Sequence, residues 1–362
     1  MLPVLFTLTL SPAWAKPLLA LVLVAIALAR AWAFRRRLAH DRKRIGWGAA
    51  LWDDKVTLAV LALADAALWR AGLLDEELSL PLHTYGLMIA IGFVTAIALA
   101  QREARRQGQD GDRIGDLAFW VLVSALVGSR LYFIAVNFRD YFGDHAWITF
   151  HGAHLPRVLA VWEGGLVFYG GFIAAALTAF VYMRRHGMRF LPHADTLIPS
   201  LALGHFFGRI GCFAAGCCWG AVSHAHLPWL AKFPPASLAY QTFASRADAA
   251  ELLAPDRLTT MPIHPTQLYE SSGELALFAL LVLVVRPAKR FHGQVLATWL
   301  MAYAVLRTVV ELFRGDVERG VVGGLGVGQW TSMVIFASGA LVWAVGRRQR
   351  ALAQGQRTAL AA

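Results

Sequence analysis

Charge is scarce in this sequence. Asp, Glu, Lys and Arg make up only 16% of its 362 residues, whereas soluble globular chains carry about 25%. Together with 57% hydrophobic residues, arranged in repeated long runs, that shortage excludes an ordinary soluble domain. About nine runs approach or exceed the ~18 residues that span hydrocarbon. Acidic residues are scarcer than basic ones, 23 against 34, and the net charge is +11. In a soluble chain that balance would point to nucleic acid. Here the basic residues sit in short loops between apolar runs, so membrane orientation accounts for them. No nucleic-acid partner is expected; an anionic lipid bilayer suits the charge. Cysteine is scarcer again: an odd set of three excludes a complete disulfide framework.

What is present is a series of spans, at approximately 4–29, 54–72, 84–101, 116–137, 160–183, 194–215, 266–285, 294–313 and 328–346. The fold class predicted is all-α, a polytopic membrane helix bundle. The connecting loops alternate in charge, with "RAWAFRRRLAHDRKR", "QREARRQGQDGDR", "MRRHGMR", "RPAKRFHG" and the tail "GRRQRALAQGQR" basic. The positive-inside rule puts these in the cytoplasm, the C-terminus inside and the N-terminus outside. "AWA" before Lys16 mimics a leader cleavage site. It lacks a basic preceding region and the apolar run continues to Arg30, so a retained first span is expected.

Residues 1–75 have a plain Ala/Leu/Val texture and read as an appended pair of spans. Residues 221–263 read as a small external cap with one short helix and no core of its own. Residues 347–362 read as a basic cytoplasmic tail.

Ionisable residues at membrane depth are functional candidates because burying them is costly. In "GHFFGRIGCFAAGCCWG", residues 204–220, His205, Arg209 and Cys212 share one helical face. Gly204, Gly208 and Gly211 form a second stripe that lets helices approach closely. Arg209 could snorkel to an interface, but it falls about two turns below the end of its span. Tyr303, Arg307, Glu311 and Arg314 also share a face. A purely structural Arg307–Glu311 pair is the plain alternative. Two arginines to one carboxylate leave a surplus positive charge that wants an anion. Arg130 lies near mid-span after a small-residue pair. In "WEGGLVFYGGF", Gly164, Gly165, Gly170 and Gly171 flank Phe168 and Tyr169. Glycine pairs expose backbone N–H groups to a ligand or serve close helix packing. Arginine suits phosphate through its planar fork, and a phospholipid headgroup reaches this depth from the side. The residues point to an intramembrane enzyme acting on a phospholipid, with an anion transporter as the alternative.

Seven motifs in order resemble the prolipoprotein diacylglyceryl transferases of bacterial inner membranes. They are "YGLMIAIGF" from Tyr85, "GSRLYF" at 128–133, "GGLVFYGG" at 164–171, "GRIGCFAAGCCWG" at 208–220, "HPTQLYES" at 264–271, "RTVVELFR" at 307–314 and "GVGQWTSM" at 326–333. The resemblance covers about residues 80–346 and implies a seven-helix core, to which the N-terminal pair is added. It implies transfer of the diacylglyceryl group of phosphatidylglycerol to the lipobox cysteine thiol in the signal peptide of a prolipoprotein. The products are a thioether and glycerol-1-phosphate. It implies that Arg209 binds the headgroup, that Arg307 faces the leaving phosphate, and that Tyr303 and Tyr169 belong to the catalytic set. Tyr85, Arg130, Gly164, Gly165, Gly170, Gly171, Cys212, Gly216, Cys217, Gly220, His264, Gln267, Glu311 and Arg314 are the implied substrate-binding positions.

The chain departs from the family pattern in two places. Many members carry Asn and Glu where Cys212 and Cys217 stand, and some carry histidine, proposed as a base, where Tyr169 stands. A different acceptor, or a non-catalytic transporter or scaffold on the same fold, are the competing readings. No cofactor is expected. The spacing C-x4-C-C is not a familiar zinc spacing, so no metal is expected either. A Cys212–Cys217 disulfide is an alternative to thiols packed as small residues under the headgroup.

Overall fold

A computed structural model describes residues 4–10, 21, 24, 78–142, 146–150, 153–159, 165–225, 227–315, 321–322 and 325–361. Most of the expected spans 4–29 and 54–72 lie outside the described residues, as does Gly164. The architecture is all-α. Among the described residues seven long helices carry it: α1 (Thr84–Arg106), α2 (Gly111–Val136), α3 (Phe168–Arg185), α4 (Phe190–Ala215), α5 (Thr266–Leu280), α6 (Gln294–Glu311) and α7 (Val327–Ala361). A π-helical turn, Leu281–Val285, extends α5. Among the described residues, five helices are long and apolar enough to cross a membrane: α1, α2, α4, α5 with its extension, and Gly328–Leu352 within α7. The shorter α3 and α6 fall where the third and sixth core spans were expected.

Four local features differ from expectation. Val4–Leu10, read as the start of a helical span, is a strand paired with Leu78–His83. Both segments alternate bulky apolar with other residues, "FTLTL" and "LSLPL", and a period of two favours a strand. The third core helix begins only at Phe168, because Gly165 takes φ +77, which no helix accommodates. The basic tail continues α7 as helix to Ala361, since Ala, Leu, Gln and Arg are all good helix formers. The cap has a core after all, with two short helices, Leu238–Ala244 and Ala249–Leu252, closing over buried Phe233, Ala239, Phe243, Leu253 and Ile263. Phe213 and Trp219 reach into that cluster from the end of α4.

The chain divides into two compact units. One holds His83–Ser129 and everything described from Phe168 onward. The other includes Arg130–Val167, with the hairpin Trp147–Phe150 and Ala153–Pro156.

Within the first unit, α4 lies along α1 on a glycine seam. A Cβ on Gly92 would come to 2.9 Å from the Phe207 Cβ, and one on Gly211 to 3.2 Å from the Tyr85 ring. At the opposite end, Asp195 of α4 is buried and caps α6. It accepts hydrogen bonds from Gly293 N at 2.7 Å and Leu296 N at 3.0 Å, and pairs with Lys289 at 2.9 Å. Glu103 of α1 forms an ion pair with Arg286 beyond α5.

Candidate active site

Three helices of the first unit place polar side chains in one network. α4 supplies His205 and Arg209, one turn apart. α5 supplies Glu270 and Glu274, again one turn apart and both fully buried. α6 supplies Trp299, Tyr303, Arg307 and Glu311 at four-residue steps, so all four line one helical face.

Arg209 Nη2 donates to Glu270 Oε1 at 2.8 Å, and the Tyr303 hydroxyl donates to the same oxygen at 3.2 Å. Arg209 Nε donates to His205 Nε2 at 3.2 Å. His205 Nδ1 lies 2.7 Å from Glu274 Oε1, and Trp299 Nε1 donates to Glu274 Oε2 at 3.3 Å. Trp299 stacks on Tyr303 at 5.2 Å with 10° between planes, fixing the tyrosine ring.

Arg307 pairs with Glu311 at 2.5 Å, both nearly buried. Its Nη1 is buried and has no hydrogen-bond partner among the described residues. The expected surplus of positive charge is thereby corrected. Arg209 pairs with Glu270 and Arg307 with Glu311, and Glu274 adds a third carboxylate beside His205, so the site holds two more carboxylates than the Arg307–Glu311–Arg314 face alone offers. The site has polarity and direction rather than a large excess charge. The one trace of Glu270 and Glu274 in the sequence is their four-residue spacing, which puts both on one helical face.

The end of α4 is anchored to this network through main chain. Gly216 caps α4 in the left-handed conformation, φ +69. Gln267 Nε2 then donates to Cys217 O at 2.7 Å, while Thr266 Oγ1 and Arg314 Nη1 each donate to Cys218 O at 2.9 Å. Gly220 bridges to Arg314 as an isolated antiparallel pair. A Cβ there would meet His264 O at 2.5 Å and Phe313 O at 2.6 Å. His264 hydrogen-bonds the Tyr269 hydroxyl at 3.0 Å, with Phe313 against both rings. The sulfurs of Cys212, Cys217 and Cys218 all lie within 4.8 Å of one another, and all three are free thiols. The Cys218 thiol is held below its ordinary range by hydrogen bonds with Cys212 and Cys217 and by the charges of Arg209 and Arg314.

Other expected positions have different surroundings. Tyr85, half-exposed in the first turn of α1, lies beside Gly211. Tyr169 is exposed with its ring edge against Phe168, and no hydrogen bond joins it to the Arg209–Glu270 network. Gly170 and Gly171 are buried; a Cβ on Gly171 would meet Ala125 O of α2 at 3.0 Å. They serve close helix packing. Arg130 belongs to the second unit, where it is buried. It donates to Val158 O at 3.3 Å, Gly165 O at 3.4 Å and Arg157 O at 3.1 Å, and lies 5.2 Å from the centre of the Tyr141 ring.

A family model described as prolipoprotein diacylglyceryl transferase matches residues 76–345. Three relatives named phosphatidylglycerol–prolipoprotein diacylglyceryl transferase are similar to this chain. One from Proteus mirabilis is 34% identical over 288 residues, 75% of this chain and 91% of the relative. One from Mycobacteroides abscessus is 30% identical, covering 78% of this chain and 77% of the relative. One from Clostridium tetani is 28% identical, covering 76% and 97%.

Proposed function

The chain belongs to the prolipoprotein diacylglyceryl transferase family, and from that premise we propose that it moves the diacylglyceryl group of phosphatidylglycerol to the lipobox cysteine of prolipoproteins. It is a multi-pass bacterial membrane protein. The proposal extends to the inner membrane as its location, with the C-terminus cytoplasmic and the N-terminus outside.

One observation carries the reading. Arg209 and Tyr303 are clamped from two helices onto Glu270, while Arg307, one turn beyond Tyr303, keeps a buried Nη1 without a partner among the described residues. The reaction is substitution at carbon. The acceptor sulfur, as thiolate, attacks the glyceryl carbon that bears the phosphodiester. A sulfur–carbon bond forms, the carbon–oxygen bond breaks, and glycerol-1-phosphate leaves with the electron pair. Negative charge grows on the departing oxygen, and a preorganised cation there lowers the barrier. Arg209 is assigned to the headgroup phosphate and Arg307 to the leaving oxygen. Tyr303 and Glu270 hold Arg209 in place. Glu311 and Gly328 fix Arg307 from behind, since a side chain at Gly328 would meet Glu311 at 2.6 Å.

Two apolar clefts of about 430 Å³ each adjoin α6. One lies against α7, lined by Ala304, Thr308 and Phe336; the other lies under the cap, lined by Trp229, Tyr269 and Phe313. They suit acyl chains, whose headgroup would then sit at the level of Arg307. Tyr85, His264, Gln267 and Arg314 are retained as proposed substrate-side positions.

The test is genetic. A bacterium depleted of its own transferase receives this chain, and thioether lipidation of a model prolipoprotein is scored. Restored lipidation is expected. No rescue by a well-inserted protein would favour a relative with another acceptor.

A further inference from the structure

We propose that Cys212, Cys217 and Cys218 form a three-thiolate site for a soft divalent cation of the zinc class, whose open fourth position receives the acceptor thiol. The metal site stands on geometry alone. The role of its fourth position rests on the diacylglyceryl-transfer reading.

The three sulfurs already lie within 4.8 Å of one another. A tetrahedral ion with metal–sulfur bonds of ~2.3 Å sets its sulfurs about 3.8 Å apart. Closing that gap takes side-chain rotation and a shift of about 1 Å at most. Adjacent cysteines seldom serve one ion, because neighbouring side chains in extended chain point to opposite sides. Here the backbone removes that obstacle. Gly216 and Cys218 both take left-handed conformations, φ +69 and +59, and curl the chain so that both thiols face Cys212. A non-glycine residue at positive φ is strained. The strain is held by three hydrogen bonds to the Cys217 and Cys218 carbonyls, from Gln267, Thr266 and Arg314.

Charge and softness agree. Thiolate sulfur selects zinc-like or copper(I)-like ions over hard ones. Three thiolates around a divalent ion leave one net negative charge. Arg209, one turn before Cys212, and Arg314, bonded to Cys218 O, stand where that charge needs an opposite. The cysteines are half-buried, which leaves an approach to a fourth position. Zinc with three protein ligands and one open position is the pattern of catalytic rather than structural sites.

The site also supplies what the network lacks. Tyr169 is exposed and unconnected to Arg209, and His205 is engaged at both ring nitrogens. Neither is free to take a proton from a thiol. A thiol that binds such an ion is deprotonated outright, with its proton passing to water. Its sulfur then forms the bond to the glyceryl carbon as the carbon–oxygen bond breaks. The electron pair departs on the glycerol phosphate oxygen, and nothing is oxidised or reduced.

The experiment uses the full-length chain purified in detergent. Metal content after zinc loading, and the spectrum after cobalt(II) loading, are measured for wild type and for C212S, C217S and C218S. One zinc per chain is expected, with a sulfur-to-cobalt charge-transfer band in the wild type. Each serine variant is expected to bind about 100-fold more weakly or worse, the share one ligand holds in a structural zinc site. Should the variants misfold, zinc protection of the wild-type thiols against alkylation decides instead. Thiols that alkylate equally with and without zinc, or a disulfide joining two of them in alkylation-trapped cells, overturn the site. Transfer at the wild-type rate by the triple serine variant overturns the acceptor-thiol role and leaves the transferase reading intact. Zinc held by three sulfurs in a protein that lipidates no prolipoprotein overturns the transferase reading and upholds the metal site.

Discussion

Arg209 and Tyr303 share one oxygen atom. From α4 and α6 they reach Glu270 Oε1 at 2.8 Å and 3.2 Å. Glu270 is thus a positioning residue whose charge orients the arginine assigned to phosphate. Glu270→Gln keeps the shape and the tyrosine bond but removes the charge. Turnover is expected to fall about 100-fold, the scale of a small misplacement in a reacting site. Yield and unfolding temperature should stay near wild type. A fall in protein yield that tracks the loss of activity would mark a merely structural role.

Arg307 offers its Nη1, which has no partner among the described residues, as a second donor. Arg307→Ala is expected to lower kcat by about 100- to 1000-fold, as for loss of one preorganised donor at developing charge, with KM for phosphatidylglycerol changed far less. Arg307→Lys should recover only part of the rate, because an ammonium cannot hold Glu311 and a phosphate oxygen in one plane. Steady-state kinetics on lipid vesicles would separate these. A pure KM effect would move Arg307 from the leaving oxygen to ground-state binding.

Gly220 packs against two carbonyls that cannot move aside. Gly220→Ala forces a Cβ toward His264 O and Phe313 O and should cost about 1–3 kcal/mol, the usual penalty of overpacking. Thermal unfolding in detergent should show the loss. An unchanged melting temperature would mean that the strand bridge to Arg314 yields easily.

How much of this was readable in the sequence differs by element. The seven core helices follow from their apolar runs, because a span must satisfy its backbone within itself. Arg209, Tyr303, Arg307 and Glu311 stood out by helical spacing alone. Glu270 and Glu274 did not, because "TQLYESSGELALF" begins beside a polar loop and reads as a helix start. Their burial comes from α4 and α6 closing over α5, which no local pattern announces. The cap core was hidden for a related reason. Phe233, Phe243 and Ile263 are far apart in the chain and meet only once Phe213 and Trp219 arrive from α4. The sulfur cluster was hidden by the left-handed Cys218, because residue spacing alone says nothing of backbone handedness.

His292, at the loop before α6, gives a pH prediction. Burial, and then the charges of Lys289 and Arg189, push its pKa below the ordinary imidazole value. The folded state therefore binds fewer protons than the unfolded chain near pH 6.5. Stability is full above that value and declines as pH falls through it toward the lowered folded pKa. His292→Gln should flatten this decline between about pH 7 and 5. Melting temperatures across that range would show it, and an unchanged slope would assign the acid sensitivity elsewhere.

The central claim is the chemistry at Arg209. Its most direct test incubates the purified chain with phosphatidylglycerol vesicles and a synthetic lipobox peptide, and weighs the peptide by mass spectrometry. The expected result is a diacylglyceryl thioether on the cysteine, released glycerol-1-phosphate in equal amount, and neither product from Arg209→Ala. An unmodified peptide with folded wild-type protein, or full transfer by the Arg209→Ala protein, would contradict it.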